Sequence, residues 1–178
     1  HSEMPAMSEG KLLGFQLWIN MPAKSKMNKP EYLYIKNNQL GLYKDNEKIV
    51  KVIAGKFENA EGPEKGHNVE PIYFHVVLEK DKEFKCDVPN EHNSFVYLLA
   101  GDLSIGENKH NKTSNSNLIL LDRGDKLIVK ANKKSEFLFI AGKPIGEPIA
   151  RGGPFVMNTK AEILQAVQDY HDGTFAKY

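Results

Sequence analysis

The chain predicts an all-β protein, an antiparallel barrel or sandwich followed by one amphipathic helix. Three observations carry this reading. Short segments rich in aromatic and β-branched residues recur between turn signals, several of them alternate polar and apolar residues with period two, and one stretch near the end has helical period and a helix start signal.

In chain order the strand segments are Phe15–Met21, Glu31–Ile35, Ile49–Phe57, Ile72–Leu78, Phe84–Val88, Ser94–Ile105, Leu118–Leu121, Asp125–Ala131 and Glu136–Ala141. In the first, Phe15, Leu17, Ile19 and Met21 fall on one face and Gln16, Trp18 and Asn20 on the other, the pattern of a strand with one buried side. Turn chemistry separates the segments, as in Lys44–Lys48, Glu58–Pro71 and Asp122–Asp125, and the polar run Glu107–Asn117 reads as a surface hairpin loop. The helix spans Thr159–Asp172. Thr159 and Glu162 form a capping-box pair, Ile163, Val167 and Tyr170 make the apolar stripe, and Gly173 ends it. Before it, the Pro- and Gly-rich run 142–158 reads as an extended, wrapping segment.

Composition narrows the function. With 178 residues, 40% hydrophobic, 26% charged and a formal net charge of +1, the chain has the make-up of one ordinary globular domain. No apolar run approaches the roughly 20 residues of a membrane span, so no membrane partner is expected. All but two of its 24 basic residues, Arg123 and Arg151, are lysines, a poor set for reading nucleic acid, and no direct nucleic-acid contact is expected. A lone cysteine, Cys86, excludes an internal disulfide; with no secretory signal in view, the cytoplasm is the expected compartment. Cys86 has no adjacent base and reads as a buried strand thiol.

At the start, His1 and Glu3 are two residues apart, a spacing that in a strand puts an imidazole and a carboxylate on one face and lets both reach one transition-metal ion. The pair alone is weak evidence, since a terminal His-Ser-Glu is more often a frayed tail or tag remnant.

Its meaning comes from a resemblance. The runs HSEMP, GFQLWINMPAKSKMNKPEY, FVYLLAGDLSIG, FLFIAGKPIGEPIARGGPFVMNT and AEILQAVQDYHDGTF, in that order, resemble the pirin family of two-barrel cupins. The resemblance implies a cupin-type, jelly-roll-like antiparallel β-barrel with one C-terminal amphipathic helix. It divides the chain into residues 1–9, the last strand of a metal-binding N-terminal barrel; residues 10–145, a C-terminal cupin barrel without metal; and residues 146–178, an extended segment and the helix. His1 and Glu3 then correspond to the later ligand pair of one divalent transition metal, iron by the family's habit with other divalent metals open, completed by ligands upstream of residue 1. Pirins carry two expected functions. One is a metal-dependent oxidoreductase of the quercetin 2,3-dioxygenase type acting on a flavonol, with the fragment as given expected to be inactive. The other is a non-catalytic metal- or redox-sensing regulator that binds a transcription factor or metabolic enzyme.

Cupin spacing tests the second barrel. Seven residues before Gly101 the ligand position holds Ser94, the His-x-His position falls on residues 87–90, and three residues after Gly124 stands Leu127. None of these is a histidine. His92 is out of register and reads as a solvated turn residue, His75 as a strand histidine donating to a carbonyl, His67 and His110 as loop residues, and His171 as the favourable basic residue of a helix's last turn. No general base is identifiable. Trp18, Phe15, Tyr32 and Tyr34 read as core, or alternatively as walls of a pocket for a flat molecule.

Overall fold

The structure, a computed structural model, describes residues 9–10, 13–65, 67–106, 111–114 and 117–175. They fall into two compact units, residues 35–144 and the terminal segments up to 34 and from 145 on.

The unit 35–144 is a two-sheet jelly roll. Its strands are β1 (Gly41–Lys44), β2 (Lys48–Ala54), the short pair β3 (Lys56–Phe57) and β4 (Ala60–Glu61), β5 (Ile72–Leu78), β6 (Glu83–Asp87), β7 (Asn93–Ala100), β8 (Asp102–Ile105), β9 (Asn111–Ser114), β10 (Leu118–Leu121), β11 (Lys126–Ala131) and β12 (Ser135–Gly142). One sheet has the order β1-β2-β5-β12-β7-β10 and the other β6-β11-β8-β9, with antiparallel pairing throughout. Successive strands repeatedly change sheet, so each sheet covers the apolar face of the other.

Alternation sets what lies between them. On β5 the residues Phe74, Val76 and Leu78 point inward, and in register they meet Val52 and Val50 of β2 and Phe139 and Phe137 of β12. Phe57 stacks on Phe84 at 5.2 Å between ring centroids and meets Phe74 edge-on at 5.8 Å; Phe84 in turn meets Phe137 at 5.7 Å. Each buried ring contributes about 1.5–3 kcal/mol by leaving water, and the edge-on geometry adds roughly 0.5–1.5 kcal/mol per pair.

The expected strands Ile72–Leu78 and Leu118–Leu121 have those bounds in the structure. The expected Ser94–Ile105 is two strands, because Gly101 (φ +103°) breaks it. A Cβ at Gly101 would collide with the Ser135 side chain, so only glycine fits both the positive φ and the close approach. The buried Ser135 hydroxyl accepts from Asp102 N (3.0 Å) and donates to the Lys133 carbonyl (2.7 Å), which anchors the β7–β8 turn. The loop 107–117 contributes β9 to the second sheet. β1 was not expected; it closes a hairpin with β2 around Asp45, whose carboxylate accepts from the backbone N–H of Glu47 and Lys48 at 2.7 Å each.

The larger departure lies in the terminal unit. Phe15–Met21 and Glu31–Ile35 form no strand; the described residues 13–34 hold no regular structure apart from a 3-10 turn at Ala23–Ser25. Alternation marks a face, and a strand also needs a neighbour to complete its backbone hydrogen bonds. The run 142–158 contains a hairpin of β13 (Ala150–Gly152) and β14 (Phe155–Met157).

The helix α1 (Lys160–His171) matches its expected span. Thr159 is the N-cap: its hydroxyl accepts from Glu162 N (3.2 Å), and the Glu162 carboxylate accepts from Thr159 N (2.7 Å). The Thr159 hydroxyl, and then the backbone N–H of Thr159 and Asn158, hold the Glu162 carboxyl below its ordinary value. Gly173, at φ +67°, ends the helix. The buried centre of α1 is Ala166; Ile163 and Val167 are half-buried, and Tyr170 is exposed, against the expected stripe. Tyr170 still meets Phe155 edge-on at 6.0 Å, and Phe155 meets Phe175 at 5.0 Å, which links the hairpin to the helix end. Gly152 lets Ile163 pack on the hairpin backbone, because a Cβ there would strike the Ile163 side chain.

Candidate functional site

In a jelly roll of this kind the chemically useful space is the interior between the sheets, reached by inward-facing residues of β7 and β11. Ser94 lies on β7 with Val96 and Leu98 on the same face, and Leu127 lies on β11 with Val129 and Ala131. Both positions named by the cupin spacing therefore face inward. They present a hydroxyl and an aliphatic chain.

The residues around them offer no better donor set. Cys86 stands opposite Leu127 in the β6–β11 register, and burial, with a smaller push from Asp87, raises its thiol to about 12. At neutral pH it is a thiol and neither a nucleophile nor a ready metal ligand. Residues 87–90 run from the end of β6 into a turn, where Val88 N donates to the Asp125 carbonyl at 2.9 Å. Among the described residues no three histidine, cysteine, aspartate or glutamate side chains are grouped to hold a metal ion. Among the described residues, the hydroxyl, thiol and aliphatic chain at these positions do not make a donor set that fits a transition metal. A cleft of about 690 Å³ opens between β10 and β11, with Leu118, Leu120 and Leu127 in its walls and Asp122, Arg123 and Lys126 among its polar residues.

His1 and Glu3, the predicted metal ligands, lie outside the described residues, as does His110. His67 begins a 3-10 turn and His171 sits in the exposed last turn of α1. The structure pairs His75 with a carboxylate where a carbonyl was expected: Nε2 lies 2.6 Å from Glu136 Oε1, one strand over on β12.

His92 requires a correction. The reading as a solvated turn residue fails, because the side chain is 3% exposed. It follows the tight turn Pro89–His92, in which His92 N donates to the Pro89 carbonyl (2.9 Å), and the ring folds inward from there. Neither ring nitrogen has a hydrogen-bond partner among the described residues. The signal is absent from the sequence, where Asn90, Glu91 and Asn93 around it all suggest solvent.

The aromatics read as core are on the surface. Trp18 is 60% exposed, and Phe15, Tyr32 and Tyr34 are exposed too. Trp18, Ile19 and Met21 line a broad cleft of about 1030 Å³ in the terminal unit together with Phe155, Tyr170 and Phe175.

The sequence pattern described as "Pirin C-terminal cupin domain" matches residues 73–176. A pirin-like protein of Caulobacter vibrioides is 36% identical over 177 residues, which is 98% of this chain and 63% of the relative. The crystal structure of a quercetin 2,3-dioxygenase from Acinetobacter baumannii superposes with a TM-score of 0.80 at 31% identity, covering 90% of this chain and 56% of that one. A solved protein of Geobacillus kaustophilus gives 0.67 at 25% identity over 74% of this chain and 54% of its own. The chain thus spans less than two thirds of the length of each.

Proposed function

Since the chain belongs to the pirin family and carries its C-terminal cupin domain, we propose that it works as part of a metal-dependent oxidoreductase of the quercetin 2,3-dioxygenase type. The observation that supports this reading is the likeness to the Acinetobacter baumannii dioxygenase, which runs through nearly the whole chain.

In this reading residues 1–9 complete a first barrel, and His1 and Glu3 would hold one divalent ion, iron on the family resemblance, through an imidazole nitrogen and a carboxylate oxygen. The remaining ligands come from residues preceding His1 in the full-length protein. The ion supplies the Lewis acidity and redox activity that oxidation of a flavonol by dioxygen requires. Residues 35–144 act as a structural partner barrel, whose interior is aromatic and aliphatic and whose cupin ligand positions hold Ser94 and Leu127. Residues 146–178 supply the extended run and α1.

The test compares the full-length protein, its His1→Ala and Glu3→Ala variants, and the 178-residue chain. Metal content is measured by elemental analysis and quercetin loss by absorbance. The expected outcome is one ion and turnover in the full-length protein, loss of metal-dependent turnover in both variants, and no turnover by the 178 residues. Turnover by the shorter chain at the full-length rate would overturn the assignment. A full-length protein that holds its ion and leaves quercetin intact would point to the regulatory, metal-sensing alternative.

A further inference from the structure

His92 is the exception among the deeply buried polar side chains of the jelly roll. Ser104 shares hydrogen bonds with Asn132 (2.9 and 3.2 Å) and Ser135 is paired as described, whereas neither His92 Nδ1 nor Nε2 has a partner among the described residues. A neutral imidazole carries one N–H and one lone pair. Leaving such groups buried and unpaired is costly enough that each instance calls for an explanation, such as a ligand or an ordered water.

The place of the ring suggests which. His92, Pro71 and Pro89 help to line a cleft of about 320 Å³, within the range of small-ligand sites. Pro89 is exposed and offers an apolar ring face, while Pro71 is buried in the cleft wall. The other polar side chains in its wall are Lys56, Lys65, Glu61, Glu64 and Glu70, with Lys65 Nζ 2.6 Å from Glu61 Oε1 and Lys143 reaching Glu70 at 3.4 Å. An anion entering the cleft would meet three carboxylates, and a cation two ammonium groups. A hydroxyl group both donates and accepts, so neighbouring hydroxyls can satisfy carboxylate and ammonium together, and the same duality matches a neutral imidazole.

We propose that this cleft binds a small, neutral, polyhydroxylated molecule of monosaccharide size, with His92 as its hydrogen-bonding anchor. The C–H face of the molecule lies on Pro89, and its hydroxyls meet the mixed charges of the wall. Both imidazole nitrogens are covered in the ligand-free cleft, so engagement includes a turn of the ring toward the incoming hydroxyl. The proposal concerns residues 55–92 alone and stands independently of the dioxygenase reading.

The experiment uses the 178-residue chain labelled with ¹⁵N at histidine and titrated separately with D-xylose, D-glucose, myo-inositol and inorganic phosphate. Ring signals are assigned by comparison with His92→Phe, which keeps a ring of similar volume and removes both nitrogens. At least one polyol should shift the His92 signals saturably, at roughly millimolar concentration. In His92→Phe, saturation-transfer signals from that polyol should show binding weakened by about tenfold or more, with His92→Gln, which retains a donor and an acceptor, less affected. Phosphate should leave the signals unmoved. The proposal is overturned if no polyol shifts the His92 signals, which leaves water as the partner, if His92→Phe binds as tightly as the parent, or if phosphate binds more tightly than any polyol.

Discussion

The strand β5 and the segment Phe15–Met21 carry nearly the same sequence pattern and have opposite fates. On β5, Phe74, Val76 and Leu78 are at most 1% exposed. In the other segment Phe15, Leu17, Ile19 and Met21 are between 36% and 50% exposed, and no strand forms. What separates them is company. β5 has β2 and β12 on its two edges and the rings Phe57 and Phe139 against Phe74, so both its backbone groups and its apolar face are satisfied. Alternation states which face will be buried if a partner arrives, and it is silent on whether one does.

Truncating the aromatic core should give the largest effect. Phe137→Ala removes a fully buried ring packed on Phe84 and should cost about 3–5 kcal/mol in chemical denaturation. A loss below about 1 kcal/mol would mean that the interior is looser than the β5 side of the comparison requires.

Gly101→Ala should come next. It imposes a positive φ on an L-residue and a collision with Ser135, and a destabilisation of about 1–3 kcal/mol is expected from the same denaturation curves. Ser135→Ala together with Gly101→Ala should not restore the parent's stability, because the backbone strain remains and the hydrogen bonds to Asp102 and Lys133 are gone.

The capping box offers an intermediate test on the terminal unit. Thr159→Ala should lower stability by roughly 0.5–2 kcal/mol if α1 is as integral to its unit as β5 is to the barrel. The Glu162 carboxyl is held below its ordinary value, so its contribution is present above the unfolded value of 4.5 and is lost as pH falls through the lower folded one. Acid should therefore weaken the parent more than Glu162→Gln.

Cys86 probes the closed barrel without changing it. Burial raises its thiol from 9.0 to about 12, so the folded state keeps a proton that the unfolded state releases. Stability from this group is complete below about pH 9 and falls as pH rises toward 12. Cys86→Ala should remove that part of the alkaline loss, and iodoacetamide at pH 8 should label the native thiol far more slowly than the unfolded one. The smallest effect is expected for Leu17→Ser, within about 0.5 kcal/mol in this chain, and a loss like that of Phe137→Ala would break the comparison.

Much of the barrel could be read from the chain because its strands are bounded by local chemistry. Ile72–Leu78 and Leu118–Leu121 end at turn residues, and α1 begins at a Thr–Glu pair whose hydrogen bonds involve only its own first turn. β9 and the β13–β14 hairpin were hidden because their residues are polar or rich in glycine and proline, and their pairing depends on a neighbouring strand. At the candidate site Ser94 and Leu127, the positions that the cupin spacing names, share a strand face with buried neighbours, since strand register transmits a residue's number to its face.

By itself, then, the sequence determined the fold class, the helix with its cap and the family, all of which rest on local pattern or residue identity. Only the tertiary structure decided that Gly101 breaks a strand, that the apolar residues of Phe15–Met21 lie exposed, and that His92 is buried with two nitrogens unpaired among the described residues. These depend on which segments meet in space: burial is a property of the neighbours a residue acquires, and His92 is buried although Asn90, Glu91 and Asn93 beside it in sequence are exposed.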